Sequence, residues 1–252
     1  MECKKVIKLA CLDKNTFEVG KNIRNMLKDV SFLEKEYITI NRNTYNILAK
    51  EYENREYSVK EDFYINTKFK GLGFKKGKKI LEIGPGKGNQ LKIFDDFGMD
   101  ITAVELSNEM CKLCKKKVPN ATIINKNILE CDFDKQFDYI YMNAVIHNFP
   151  ISDAKVLLRL IHNWLKEDGC IICTTTVDNN DYEGFQEKKD YNNKSKRFRH
   201  HYTKQSFDSL FIDEGYNIFE KKYKEETDTV RSKLWQILYL KNKDFYKKEI
   251  FP

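Results

Sequence analysis

The chain has 252 residues, 41% of them hydrophobic, enough to bury one substantial core, and α/β folds of this size commonly form a single domain. Its formal net charge of +7 rests on 38 lysines and only 7 arginines; specific phosphate and base recognition leans on arginine, so the basic balance speaks weakly for a polyanionic partner. No apolar run is long enough to cross a bilayer, Met1 to Ala10 carries three lysines instead of a signal-peptide core, and seven cysteines in a chain of this size fit reduced thiols, so a cytoplasmic protein with no membrane partner is expected.

Residues 1–40 form an extension of mixed charge with a helix expected around Gly20 to Leu33 and no motif that reveals a role. From Asn41 onward, Tyr45, Ile47, Leu48, Ala49 and Tyr52 recur at helical spacing behind the potential cap Asn43, predicting an amphipathic helix over 41–54. An alternation follows. Lys79 to Ile83 reads as a strand, Asn89 to Phe97 as a helix, Ile101 to Val104 as a second strand, and a helix capped by Ser107 runs through Lys117. Ala121 to Ile124, Phe137 to Met142 and Cys170 to Thr175 give three more strands, with a helix over Ser152 to Leu165 between the last two. Strands alternating with helices of this length predict a doubly wound, mostly parallel sheet covered on both faces. After Thr176 the pattern breaks into a polar stretch to about residue 202, then a helix from Thr203 to Glu214, and two apolar segments, Tyr216 to Tyr223 and Leu234 to Leu240, that predict an antiparallel pair at the sheet edge.

The segment Leu81-Glu82-Ile83-Gly84-Pro85-Gly86-Lys87-Gly88 places three glycines directly after a buried strand and before a helix, where the backbone must turn sharply and admit a ligand closely. A dinucleotide site would put its third glycine at position 89, which is Asn89. The G-x-G-x-G spacing instead resembles motif I of the class I, Rossmann-like S-adenosylmethionine-dependent methyltransferases of small-molecule type. Further matches run in the family's order: Glu105 in Val104-Glu105-Leu106-Ser107, Asn127 after the third strand, and Phe137 to Ala144 at the fourth.

The resemblance implies a seven-stranded sheet with an antiparallel C-terminal edge hairpin, forming a single domain over 41–252 with the 41–54 helix as a lid and 177–202 as a substrate-side insertion. It implies S-adenosyl-L-methionine as cofactor, leaving S-adenosyl-L-homocysteine, with Glu82, Gly84, Gly86, Gly88, Glu105, Leu106, Met110, Asn127, Ile128 and Asn143 around it. Glu105 would accept both ribose hydroxyls, and Asn127 stands where the family often has an acid near the adenine amino group. Tyr45 and Tyr52 resemble lid tyrosines, although a stripe packed on the sheet reads equally well.

Methyl transfer from a sulfonium is an in-line displacement, so a group near the methyl carbon is needed where the acceptor must lose a proton. His147, beyond Asn143-Ala144-Val145-Ile146, is the candidate catalytic residue, as base or as orienting group, against a purely structural imidazole in that loop. Arg197, Arg199, His200 and His201, with Lys194 and Lys196 beside them, could receive a phosphate or carboxylate, or else form a solvated loop.

Cys111 with Cys114, and Cys170 with Cys173, are spaced C-x-x-C, but three residues apart on a strand point to opposite faces and the helical pair lacks partners, so no metal is expected. The function this predicts is methyl transfer to an O or N atom of a small, anionic metabolite, such as a sugar, a nucleotide-linked or a phosphorylated compound, by a monomer or homodimer. An RNA- or protein-directed enzyme, or a non-catalytic S-adenosylmethionine-binding protein, stays open. Against a nucleic-acid substrate stand three absences: an Asn/Asp-Pro-Pro-aromatic motif after the fourth strand, a Pro-Cys pair, and an appended RNA-binding module.

Overall fold

The computed structural model describes residues 35–54, 72–74, 76–134, 136–187, 195–227 and 232–243. The chain divides into units 1–39 and 40–252, and the fold below is that of the second. The helix expected over Gly20 to Leu33 and the side chain of Lys194 lie outside the described residues.

Helix α1 spans Glu36–Asn54, so Asn43, read as a cap, lies inside it; an acidic Glu36 in the first turn suits the positive end of the helix dipole. The core strands are β1 (Lys79–Ile83), β2 (Asp100–Glu105), β3 (Thr122–Asn125), β4 (Phe137–Asn143) and β5 (Leu165–Val177). Between them lie α2 (Asn89–Asp96), α3 (Asn108–Lys117) and α4 (Ile151–Trp164). Ser107 caps α3, its side chain accepting from the Met110 amide, and Lys115, Lys116 and Lys117 occupy the last turn where the dipole favours cations.

Two further strands, β6 (Tyr182–Glu187) and β7 (Lys196–His201), precede α5 (Lys204–Asp213) and the closing pair β8 (Tyr216–Thr227) and β9 (Ser232–Asn242). The main sheet has the order β3-β2-β1-β4-β5-β9-β8, parallel from β3 to β5 and antiparallel through β9 and β8. The seven-stranded sheet and its antiparallel edge thus stand as the pattern predicts. Its strand order reverses between β1 and β4, the switch point at which open α/β sheets open a crevice at their carboxyl ends.

Because alternate residues of a strand face opposite ways, the sheet builds two cores. Ile80, Tyr139, Tyr141 and Ile172 join Leu91 and Phe94 of α2 and Cys114 of α3 in one cluster. The neighbours Leu81, Ile140 and Ile171, in register across three strands, are as deeply buried on the other face. Each such side chain contributes about 2 kcal/mol relative to exposure, which is why the central strands read as continuous apolar runs.

Two elements depart from the sequence reading. β5 begins at Leu165 and not Cys170, because Phe137 pairs with Leu165 before the register shifts to bring Tyr139 opposite Cys170. The polar stretch is not irregular throughout: β6 and β7 pair antiparallel as a separate two-stranded sheet. Only Phe185 against Phe198 makes a large apolar cross-strand pair there, at 5.7 Å between ring centroids, so the segment carries no apolar stripe by which it could be recognised.

Candidate functional site

The turn after β1 is held open by backbone conformation. Gly84, Gly86 and Gly88 all have positive φ, at 66°, 58° and 79°. A Cβ on Gly84 would stand 2.5 Å from Val145 Cγ2, whereas one on Gly86 would meet nothing within 4 Å. The glycine at 84 therefore lets the turn pack under the β4 loop, and the one at 86 leaves open the space a side chain would fill.

Glu105, last residue of β2, reaches this turn. Its Oε2 accepts from the Gly86 amide at 3.0 Å and its Oε1 from the Ser107 amide at 2.8 Å. Burial pushes the carboxyl up to about 7, against the pull of the Ser107, Gly86 and Leu106 amides toward the charged form. Backbone amides reach both oxygens, and the carboxylate, with about four lone-pair sites, keeps capacity for a further donor. Beneath the same turn, Cys114 Sγ donates to the Gly86 carbonyl at 3.0 Å and Cys111 Sγ meets the Glu105 carbonyl at 3.6 Å. Both thiols are held protonated, Cys111 up at about 12 by burial and by Glu105. The C-x-x-C of α3 is thus a support for the turn, and among the described residues no group of three or more His, Cys, Asp or Glu is placed to hold a metal ion.

Around it, Met110 and Glu82 are buried and Leu106 is half-buried. Asn127 caps the single turn at Ile128–Glu130, its Oδ1 taking the Leu129 amide at 3.1 Å and its Nδ2 approaching Glu130 Oε1 at 3.3 Å. Ile128 is buried beside it. Asn143 ends β4 half-buried, followed by Ala144 at φ 58°, the one positive-φ residue other than glycine among those described. A left-handed alanine costs of order 1 kcal/mol and sharply redirects the chain into the turn Ile146–Asn148 that carries His147. His147 is buried, and its Nδ1 stands 2.8 Å from Thr175 Oγ1 on β5.

The polar stretch contributes β7, where residues 197, 199 and 201 share one face by the two-residue period of a strand. Arg197 is buried and donates to the Tyr45 hydroxyl at 3.1 Å, and Arg199 donates to Thr176 Oγ1 at the end of β5. Tyr45 in turn stacks edge-on to Tyr52, 6.3 Å between centroids. Both ring nitrogens of His200 meet carboxylates, Glu183 at 2.8 Å and Asp181 at 3.0 Å. Those of His201 meet Asp178 at 2.7 Å and Gln186 Oε1 at 2.9 Å. Burial lowers the His201 pKa against the Asp178 hydrogen bond, and the charges of Arg199 and Arg197 lower it further.

Sequence reasoning missed four side chains that bind these parts together. Thr175 and Thr176 present hydroxyls to His147 and Arg199; Asn41 donates from Nδ2 to the Asn148 backbone carbonyl at 3.1 Å; and Asn46 Oδ1 takes the Ser107 hydroxyl at 2.7 Å. Only the run Thr174-Thr175-Thr176 at the end of a buried strand could have hinted at them, since polar residues in such a strand need partners.

A doubly wound sheet with a glycine turn after β1 and a buried acid at the end of β2 defines the class of Rossmann-like S-adenosylmethionine-dependent methyltransferases. The chain belongs to the methyltransferase-domain family, whose model matches residues 59–221. An uncharacterized methyltransferase of Alkaliphilus oremlandii is 27% identical over 125 residues, 50% of this chain and 56% of that protein. A ribosomal RNA small subunit methyltransferase A of Malacoplasma penetrans is 31% identical over 107 residues, 40% of this chain and 39% of that one. The chain thus spans little more than half the length of the first relative and less than half of the second. In fold it is similar to the 1,6-didemethyltoxoflavin-N1-methyltransferase of Burkholderia thailandensis, with a TM-score of 0.63 at 16% identity over 82% of this chain and 89% of that one. No described helix is long and apolar enough to cross a membrane.

Proposed function

We propose that the chain transfers a methyl group from S-adenosylmethionine to an O or N atom of a small anionic acceptor. The observation that carries this reading is the Glu105 carboxylate, buried at the glycine turn and fixed by the amides of Gly86 and Ser107. The residues fit the cofactor: the space a side chain would fill at Gly86 is open, and Glu105 keeps acceptor capacity for a ribose hydroxyl. Gly84 and Gly88 shape the turn above Glu82, Leu106 and Met110 flank the nucleoside, Asn127 and Ile128 meet the adenine edge, and Asn143 closes the strand end. When bound, the cofactor supplies an electrophilic methyl on a sulfonium.

The chain's own residues orient the acceptor and handle its proton. His147, whose Nδ1 is tied to Thr175, holds its imidazole in one orientation and acts as base or orienting group. Arg197 and Arg199, on one face of β7, meet the anionic part of the acceptor, while Tyr45 and Tyr52 on α1 cover the site. His200 and His201 act at one remove, bracing the β6–β7 pair through Asp181, Glu183, Asp178 and Gln186. Resemblance by name to an RNA-directed relative favours a second reading, an RNA acceptor; the strand end Asn143-Ala144-Val145-Ile146 speaks against it.

Calorimetric titration with S-adenosylhomocysteine, run beside Glu105→Ala, tests the site. Binding that weakens at least about tenfold in the variant is expected, as the loss of one charged hydrogen-bonding group is. Binding indifferent to the substitution removes the reading. Methylation assays on a small-anion panel and on total RNA then separate the two acceptors.

A further inference from the structure

Asn46 lies on α1, far in sequence from the Glu105 loop, yet its Oδ1 accepts twice from that loop, from Ser107 Oγ at 2.7 Å and from the Glu109 amide at 3.2 Å. The Ser107 amide donates to Glu105 Oε1, and Glu105 Oε2 accepts from Gly86. An unbroken run of hydrogen bonds therefore joins α1 to the tip of the glycine turn. The residues just before Asn46 bond elsewhere. Tyr45 accepts from Arg197 Nη1 at 3.1 Å, and Asn41, one turn earlier, accepts from the Phe198 amide at 2.8 Å and donates to the Asn148 carbonyl at 3.1 Å. Successive helix residues point about 100° apart, so one helix addresses two places at once. On one side it holds the loop of Glu105; on the other it holds β7 and the turn of His147.

We propose that Asn46 is a positioning residue that couples the cofactor loop to the acceptor end through α1. The inference rests on the reading that Glu105 holds the cofactor. A nucleoside drawn against Glu105 fixes the 105–109 loop; Asn46, bonded to two donors of that loop, fixes α1; and α1 orders β7 with its two arginines. Coupling of this kind is reciprocal, so an acceptor held by β7 tightens the cofactor in turn, and the acceptor binds best to the loaded protein. Asparagine suits the task because one side-chain carbonyl oxygen takes both donors without adding a charge beside Glu105.

The Phe198 amide is a built-in reporter, since its partner is Asn41 on the coupling helix. Amide hydrogen exchange of the 196–201 segment is measured with and without S-adenosylhomocysteine, in parallel with calorimetry. In the unsubstituted protein the ligand slows exchange there by about tenfold. In Asn46→Ala the ligand still binds, more weakly, and the slowing disappears. In Asn41→Ala, which leaves every group around Glu105 in place, affinity is unchanged and the slowing is diminished, since the link from α1 to Phe198 is cut while Tyr45 still holds Arg197. A role in stability alone would lower the melting temperature of Asn46→Ala and leave the ligand-induced slowing of its folded form intact; that result overturns the proposal, as does slowing that is undiminished in Asn41→Ala. Ligand binding to the unsubstituted protein without any slowing overturns the coupling but not the site. Absence of ligand binding removes the site and the coupling together.

Discussion

The Gly86 amide donates to Glu105 Oε2 across the mouth of the glycine turn, so the proposed ribose acid is held by the very loop it serves. Burial raises this carboxyl to about 7 from its ordinary 4.5. Below neutrality the empty site therefore holds a proton that a ribose hydroxyl, donating to the charged form, must expel. The sign follows: affinity for S-adenosylhomocysteine is full above pH 7 and falls as pH drops through about 7 toward 4.5, by up to about tenfold per unit, with release of one proton on binding. Calorimetry in buffers of different ionisation enthalpy reads both. In Glu105→Gln the affinity is weaker and the pH dependence is absent; a variant that keeps the slope moves the titrating group elsewhere.

Gly84 and Val145 set a second expectation. Gly84→Ala brings a Cβ to 2.5 Å from Val145 Cγ2 and places an alanine at φ 66°. The combined clash and strain should cost about 2–4 kcal/mol in denaturant unfolding. Gly77→Ala, at φ 81° with open space around its Cβ, should cost only about 1 kcal/mol. Adding Val145→Ala to Gly84→Ala should recover part of the loss, and a strictly additive double variant would show that the two residues do not meet.

What the sequence carries plainly is whatever is local. The central strands, the glycine turn and Glu105 at the next strand end are contiguous patterns, because two-face burial writes continuous apolar runs and a left-handed turn writes glycine. The β6–β7 pair is not local in this sense: it sits apart from the main sheet and needs no apolar stripe. Its basic run suggested one anion-binding cluster, yet adjacent strand residues face opposite ways, and His200 and His201 are engaged by separate acids. Asn46 with Ser107, Arg197 with Tyr45 and His147 with Thr175 are pairs made by the fold at separations that no spacing rule connects.

Asp138 shows the same point in a structural role. Burial pushes its carboxyl up, but hydrogen bonds from Lys78 and Lys166, at 2.8 and 2.9 Å, and from the Lys79 amide at 2.8 Å outweigh it and hold it at about 2. A carboxyl depressed on folding stabilises the protein fully above its ordinary value near 3.8, and that share is lost as pH falls through about 2. Asp138→Asn should cost about 2 kcal/mol at pH 7 in denaturant unfolding, with the difference from the unsubstituted protein shrinking below about pH 4. A cost that is the same at pH 7 and at pH 2.5 would show that packing, not charge, is what Asp138 contributes.

The Thr175 hydroxyl, 2.8 Å from His147 Nδ1, separates the roles open to that histidine. Thr175→Val keeps the shape and removes the hydroxyl, so the buried imidazole loses a partner and stability falls by about 1–2 kcal/mol. If His147 handles the acceptor's proton, Thr175→Val also lowers kcat and moves the pH profile of turnover, because the partner at Nδ1 decides how readily the ring takes a proton at Nε2. His147→Ala then lowers kcat by about a hundredfold or more, with S-adenosylhomocysteine affinity within about threefold of the unsubstituted protein. Should His147 only orient the acceptor, His147→Gln restores most of the turnover and Thr175→Val leaves the pH profile where it was. The assay needs an acceptor from the small-anion panel, and product formation unchanged in His147→Ala would end the case for either role.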